Sequence, residues 1–115
     1  MSIFGVDIAW DRPSTATIKG TGANFVCRYL SPDTSKNITA SEVVDYANNG
    51  ISSVVVWEST AGRATSGYYA GQSDAQDADG QRSSVGLPSN MPIYFAVDED
   101  TDWGSVSSYF SGVMS

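Results

Sequence analysis

The sequence has no histidine, a single cysteine and only six basic residues, and each shortage excludes a class of function. Without histidine, the chain cannot supply a Ser-His-Asp triad, a Cys-His pair or a histidine-ligated zinc site. The lone cysteine, Cys27, rules out an internal disulfide, and its apolar neighbours predict a buried, inert thiol. Acid–base chemistry must therefore come from carboxylates.

The charge balance is strongly acidic. The chain has six Lys and Arg residues and thirteen Asp and Glu residues, which gives a net charge of −7. Because phosphate backbones and anionic membrane surfaces repel such a chain, we expect no nucleic acid partner. The opening segment MSIFGVDIAW has no basic stretch and no long apolar run, so we expect neither a secretory signal nor membrane insertion.

Four short runs rich in β-branched and aromatic residues predict buried strands, at residues 3–10, 24–30, 52–59 and 92–98. Helices are predicted at residues 14–19, 39–50, 71–88 and 105–115 from apolar spacing, capping residues and closing glycines. This alternation of strand and helix predicts an α/β fold with parallel strands joined by right-handed crossovers.

Carboxylates follow three of the predicted strands. Asp7 follows IFGV in the first, Glu58 follows VVVW in the third, and Asp98 and Asp100 follow IYFAV of the fourth. Parallel α/β folds bind ligands at the carboxyl ends of their strands, so these four acids are the candidate catalytic residues. Where like charges crowd together, at least one carboxyl group is held protonated and can serve as a general acid.

Cationic and aromatic side chains near the same strand ends are candidate substrate-binding residues. They are Arg28, Tyr29, Trp57, Tyr94 and Trp10. Each has a structural alternative: the arginine can form an ordinary salt bridge, and the aromatic rings can pack in the core rather than stack on a sugar. The acids at the strand ends also have a structural alternative, because Asp and Thr often cap helices, and Asp102 or Thr101 could cap the last helix.

The sequence resembles the Rv2525c-like (DUF1906) glycoside hydrolase-like family, which is related to the family 25 lysozymes that cleave peptidoglycan. The resemblance lies in GVDIAW, FVCRYLS, Lys36 with ITASEVVDYANNGI, VVVWES, GQSDAQDA with GLP, and PIYFAVDED, in that order. It implies a TIM-barrel-like fold. A complete β/α barrel has roughly 250 residues, so we expect a partial barrel of about four βα units.

The resemblance also implies roles for the acids. Asp7 corresponds to the acid that ends the first strand of such lysozymes, and Asp98 to the first acid of their D-x-E pair. Asp100 stands where the lysozymes carry glutamate as the proton donor, and its shorter side chain leaves Glu58 as an alternative donor. The leading interpretation is thus lysozyme-type cleavage of peptidoglycan or a related glycan, without metal or cofactor.

Two other interpretations stay open. One is a non-catalytic cell-wall glycan-binding module. The other is a magnesium-dependent phosphoryl-transfer enzyme, because VDEDTD is similar to an Asp-x-Asp loop after a strand. We expect residues 1–115 to be the N-terminal half of the domain, completed by a missing C-terminal half or by a second copy of the chain. The site of action would be extracellular or at the cell wall, reached by phage-lysin-like export or after removal of a leader.

Overall fold

The computed structural model describes residues 3–115. Its four strands form one sheet in the order β1-β2-β3-β4, and every neighbouring pair is parallel. The strands are β1 (Gly5–Asp7), β2 (Phe25–Leu30), β3 (Ser52–Trp57) and β4 (Ile93–Phe95). The helices that follow them in turn are α1 (Thr15–Gly20), α2 (Ala40–Asn48), α3 (Tyr68–Ser84) and α4 (Trp103–Val113). The predicted α/β fold, a partial TIM-barrel-like arrangement, is confirmed.

The edge strands are shorter than predicted because neighbouring strands are staggered. Strand β1 pairs only with the first half of β2, from Gly5 against Phe25 to Asp7 against Cys27. Strand β4 pairs only with the second half of β3, and ends where Phe95 lies against Trp57. The fourth strand was predicted to reach Asp98, but it ends at Phe95, and Asp98 and Asp100 lie in the loop before α4.

The helix ends follow their capping residues. Helix α2 has the predicted capping box, in which Thr39 accepts from the Glu42 backbone and the Glu42 side chain accepts from the Thr39 backbone. Helix α4 begins two residues earlier than predicted because Asp102 caps it, accepting from the Ser105 backbone at 2.8 Å. That hydrogen bond lowers the pKa of Asp102. Within residues 3–115, no helix is long and apolar enough to cross a membrane.

Two parts of the chain without a predicted helix contain helical turns. Helix α3 starts at Tyr68, three residues before the predicted start, and continues through Gly80 without a break. Single-turn helices at Thr34–Lys36 and Arg63–Thr65 shorten the connections after β2 and β3. Because each turn starts soon after a strand ends, both hold polar side chains near the carboxyl end of the sheet.

The core lies on one face of the sheet. Side chains alternate along a strand, and Val26 and Leu30 of β2 are buried beside Val55 and Trp57 of β3. Helix residues such as Ile18, Tyr46 and Ala78 complete this cluster. The opposite face of β2 and β3 carries Cys27, Tyr29, Val54 and Val56, all only half-buried. Polar groups at the strand ends therefore have access to solvent on this open face.

Helices α3 and α4 cross at two glycines. A Cβ atom added at Gly71 would lie 1.9 Å from the Tyr109 carbonyl oxygen, and one added at Gly112 would lie 1.9 Å from the Tyr68 carbonyl oxygen. Real atoms never approach so closely, so each glycine is required by the backbone of the other helix. This contact fixes α4 against α3.

Replacing Gly71 with alanine should therefore destabilise the fold by about 3 kcal/mol, the upper end of the usual cost of overpacking. Gly80→Ala is the matched control on the same helix, since nothing lies within 4 Å of its added Cβ. It should stabilise the protein by about 0.5–1 kcal/mol through helix propensity. Urea unfolding measures both, and equal effects of the two substitutions would contradict the close contact.

Candidate functional site

Asp7 is held by a tyrosine on the neighbouring strand. Asp7 is the last residue of β1, and the Tyr29 hydroxyl of β2 donates to its Oδ1 atom at 2.6 Å. Burial raises the pKa of Tyr29, and the bond to Asp7 raises it further, so the phenol keeps its proton and stays a donor. The carboxylate of Asp7 is thus oriented at the carboxyl end of the sheet.

Glu58 is held by a buried lysine. Its backbone N–H donates to the Leu30 carbonyl at 3.1 Å, which extends the ladder one residue beyond β3. The Lys36 ammonium group donates to Glu58 Oε1 at 2.6 Å, and Lys36 is only 6% exposed. An ammonium group is costly to bury without a counter-charge, so Glu58 compensates Lys36 as much as Lys36 orients Glu58.

Two aromatic rings enclose the same ammonium group. The Lys36 nitrogen lies 5.3 Å from the centroid of the Tyr29 ring and 5.8 Å from that of Trp10, distances at which a cation is attracted to a ring. Lys36 therefore links the residues at the ends of β1, β2 and β3 into one cluster. Asp7, Tyr29, Lys36, Glu58 and Trp10 are called the acid–lysine cluster below.

Cys27 lies on the open face of β2, opposite Asp7 of β1, and is half-buried. Burial raises the pKa of this thiol, and the negative charges of Asp7 and Glu58 raise it further. A thiol in that setting stays protonated, so Cys27 is a poor nucleophile. The sequence predicted a buried, inert thiol, but Cys27 is only half-buried because it lies on the open face of the sheet.

Trp10 forms an exposed wall of the cluster. Its indole Nε1 donates to Ser35 Oγ at 3.0 Å, and the residue is 63% exposed. It lines a cavity of about 580 Å³ formed by residues 7–13, the loop that follows β1. A fixed and exposed indole beside a carboxylate can stack on a ligand ring while the acid acts on it.

Asp98, Asp100 and Tyr94 lie at the other edge of the sheet. Tyr94 of β4 is 59% exposed and pairs with Val56 on the open face, and both aspartates are exposed in the following loop. Across a flat sheet, three strand spacings separate β4 from β1, about 14 Å. The structure thus brings Asp7 and Glu58 together, whereas Asp98 and Asp100 share only the same end of the sheet.

Arg28 and Trp57 are not where a substrate-binding residue is expected. Alternation along the strands turns both to the helix-covered face, where Arg28 is 0% and Trp57 2% exposed. Arg28 donates to Glu42 and, at 2.8 Å, to the Tyr46 hydroxyl. Arg28 thus forms a structural salt bridge, which was the alternative to substrate binding, and Trp57 packs in the core.

Lys36 is the site residue that sequence reasoning missed as a functional group. A signal was available, since Lys36 is one of six basic residues in an acidic chain and lies shortly after β2 ends. Its burial could not be read from the sequence, because lysines in polar loops are usually exposed. Among residues 3–115, no group of three or more Asp, Glu or Cys side chains is placed to hold a metal ion.

The Rv2525c-like glycoside hydrolase-like domain family matches residues 16–115. The chain belongs to this family. The match does not include β1, Asp7 or Trp10. No curated protein matches the sequence significantly.

Solved structures support the family fold. The Tat-secreted protein Rv2525c of Mycobacterium tuberculosis, in complex with HEPES, has a TM-score of 0.84 at 24% identity over 94% of this chain and 61% of that one. Its complex with L-tartrate gives the same score and identity. An uncharacterized B. stearothermophilus protein has a TM-score of 0.72 at 21% identity, over 97% of this chain and 55% of that one. The chain thus spans less than two thirds of the length of these relatives.

The buried Arg28–Glu42 pair generates a pH-dependent prediction. Burial alone would raise the pKa of Glu42, but Arg28, the Thr39 backbone and Arg12 together lower it below its ordinary value of 4.5. Because Arg28 is fully buried, Glu42→Gln should destabilise the fold at neutral pH by about 3–5 kcal/mol.

The difference in unfolding free energy between the unmodified protein and Glu42→Gln should have its full size above pH 4.5, the ordinary pKa of Glu42. It should vanish as the pH falls through the lower pKa that Glu42 has in the folded state. Urea unfolding of both proteins across this range measures it. Asp45→Asn, an exposed change on the same helix, is the control and should stay within about 0.5 kcal/mol at every pH. A Glu42→Gln effect that does not depend on pH would contradict the charge interaction.

Proposed function

We propose that this protein is a glycoside hydrolase of lysozyme type that acts on bacterial cell-wall peptidoglycan. The observation that carries the proposal is the Asp7 carboxylate, oriented by Tyr29 and flanked by the exposed ring of Trp10. Membership of a glycoside hydrolase-like family supports it. So does the position of the acids at the carboxyl ends of parallel strands, where enzymes with this architecture have their active sites.

Asp7 has the geometry of an electrostatic stabiliser. One of its oxygens accepts from Tyr29, which fixes the carboxylate. No side chain among residues 3–115 donates to the other oxygen, so that oxygen can face a ligand. Glycoside cleavage passes through an oxocarbenium-like transition state, and a fixed carboxylate lowers the energy of that positive charge. The ring of Trp10 would hold the sugar in place.

The proton donor is assigned to Asp100, with Asp98 beside it in the loop after β4. Glu58 is the weaker choice, because its Oε1 atom already accepts from the Lys36 ammonium group. A general acid must reach the leaving-group oxygen, whereas the ion pair holds this oxygen of Glu58 on Lys36. Glu58 then orients Lys36 rather than the scissile bond.

A non-catalytic cell-wall binding module is the second candidate function. It is favoured by the position of Asp98 and Asp100 at the sheet edge opposite Asp7. The flat-sheet distance of about 14 Å exceeds the roughly 5–9.5 Å that separates the paired carboxyl groups of glycosidases, although curvature of the sheet shortens it. The cluster around Asp7 would then bind a glycan without cleaving it.

The proposed site of action is outside the cell, at the cell wall. The structural relative Rv2525c is described as Tat-secreted, which supports this location. The four βα units seen here would be completed to a barrel by further sequence or by a second copy of the chain.

Hydrolysis is tested by release of reducing ends from purified bacterial cell walls. Asp7→Asn and Asp100→Asn should each lower the rate by about a hundredfold or more, the usual cost of losing a charge-stabilising or proton-donating group. Glu58→Gln, which keeps an acceptor for Lys36, should cost much less.

Asp45→Asn removes the same charge from an exposed position on α2 and should leave the rate unchanged. If the unmodified protein releases no reducing ends at any pH from about 4 to 8, it is not a hydrolase of this type. Retention on cell walls in a pull-down without such release would instead support the binding module.

A further inference from the structure

A second cavity lies beside the acid–lysine cluster and is not explained by it. Its volume is about 450 Å³, within the range of small-ligand sites. The loops after β2 and β3 and one side of α3 form its walls. The lining includes Asp33, Lys36, Ser59, Thr60, Arg63 and Asp77.

Arg63 is the most firmly positioned donor in this cavity. Its Nε and Nη2 atoms donate to the two oxygens of Asp74 at 3.0 and 2.8 Å. Asp74 is only 3% exposed and also accepts from the Tyr109 hydroxyl of α4 at 2.7 Å. The hydrogen bond with Asp74 raises the pKa of Arg63, so the guanidinium stays charged. Arginine has five N–H donors, and those on Nη1 remain for a ligand.

Lys36 lies between the second cavity and the first. Lys36 lines the second cavity, while its ammonium nitrogen lies 5.8 Å from the ring of Trp10, which lines the first. Glu58, the partner of Lys36, is followed directly by Ser59 and Thr60 in the wall of the second cavity. A chain of linked sugars could therefore occupy both cavities in succession.

Charge indicates which kind of sugar fits. Lys36 is paired with Glu58 and Arg63 with Asp74, so neither cation brings an uncompensated positive charge. Asp33 and Asp77 add negative charge to the lining and repel an acidic ligand. Hydroxyl groups, in contrast, can accept from Arg63 and Lys36 and donate to the aspartates.

We propose that this cavity is a second sugar subsite, which binds an uncharged, hydroxyl-rich sugar next to the one at Asp7. Arg63 is its specificity-determining residue, and Tyr109 is a positioning residue that acts on Arg63 through Asp74. The inference rests on the proposed action on glycans and adds that the glycan fills both cavities, with an uncharged sugar unit in the second.

The test is a titration calorimetry series with uncharged chito-oligosaccharides, from the disaccharide to longer members. Affinity should rise with length. Arg63→Met should weaken binding of the longer sugars about tenfold to a hundredfold, the cost of losing hydrogen bonds from a charged donor, with the disaccharide unaffected. The affinity of Arg63→Lys for the longer sugars should lie between those of the unmodified protein and Arg63→Met. Tyr109→Phe should cause a smaller loss of affinity than Arg63→Met, with the same dependence on length.

Lys19→Met, which removes an exposed positive charge from α1, is the matched control and should bind all lengths as the unmodified protein does. If Arg63→Met fails to fold because Asp74 is left buried without its partner, Ser59→Ala combined with Thr60→Val tests the same cavity wall. That pair should also weaken only the longer sugars. Acidic oligogalacturonates of equal length should bind more weakly than the uncharged series.

Affinity that does not depend on length would overturn the subsite. So would equal loss of the disaccharide and the longer sugars in the variants, or oligogalacturonates binding as tightly as the uncharged series. Length-dependent binding without release of reducing ends would refute hydrolysis and retain the subsite. Hydrolysis with an affinity that does not depend on length would retain the proposed function and refute the subsite. No binding of any oligosaccharide would refute both the proposed function and the subsite.

Discussion

The hydrogen-bond ladder that β2 shares with β1 and β3 determines what each face of the sheet can do. Because side chains alternate along a strand, consecutive residues Arg28 and Tyr29 face opposite ways. Arg28 enters the helix-covered core and needs Glu42 to compensate its charge. Tyr29 reaches the open face and orients Asp7. A shift of the ladder by one residue would exchange these roles and disrupt both the core and the candidate site.

The charges of the chain are organised as pairs. Five of its six basic residues form ion pairs: Arg12 and Arg28 with Glu42, Lys36 with Glu58, Arg63 with Asp74, and Arg82 with Asp79. Among residues 3–115, the other acids form no ion pair. At the carboxyl end of the sheet, this leaves fixed carboxylates beside neutralised cations, a setting that favours uncharged ligands that develop positive charge over anions.

The sequence was sufficient for the fold and for the end of the sheet at which the acids lie. Apolar runs and caps predicted four strands and four helices in the right order, because these signals are local. It was insufficient for the stagger between strands, which ends β4 at Phe95 and leaves Asp98 outside the sheet. It was also insufficient for Lys36, whose burial depends on residues from three separate loops and strand ends. Such contacts between distant parts of the chain leave no periodic signal in the sequence.

The stagger has a consequence for how the protein behaves in concentrated solution. Both edge strands are three residues long, Gly5–Asp7 and Ile93–Phe95, so each presents very few free backbone N–H and C=O groups. Long, flat edges are the ones that recruit strands from other molecules and start aggregation. An edge this short gives an intruding chain little to pair with. It also restricts productive partners to those that bring their own complementary surface.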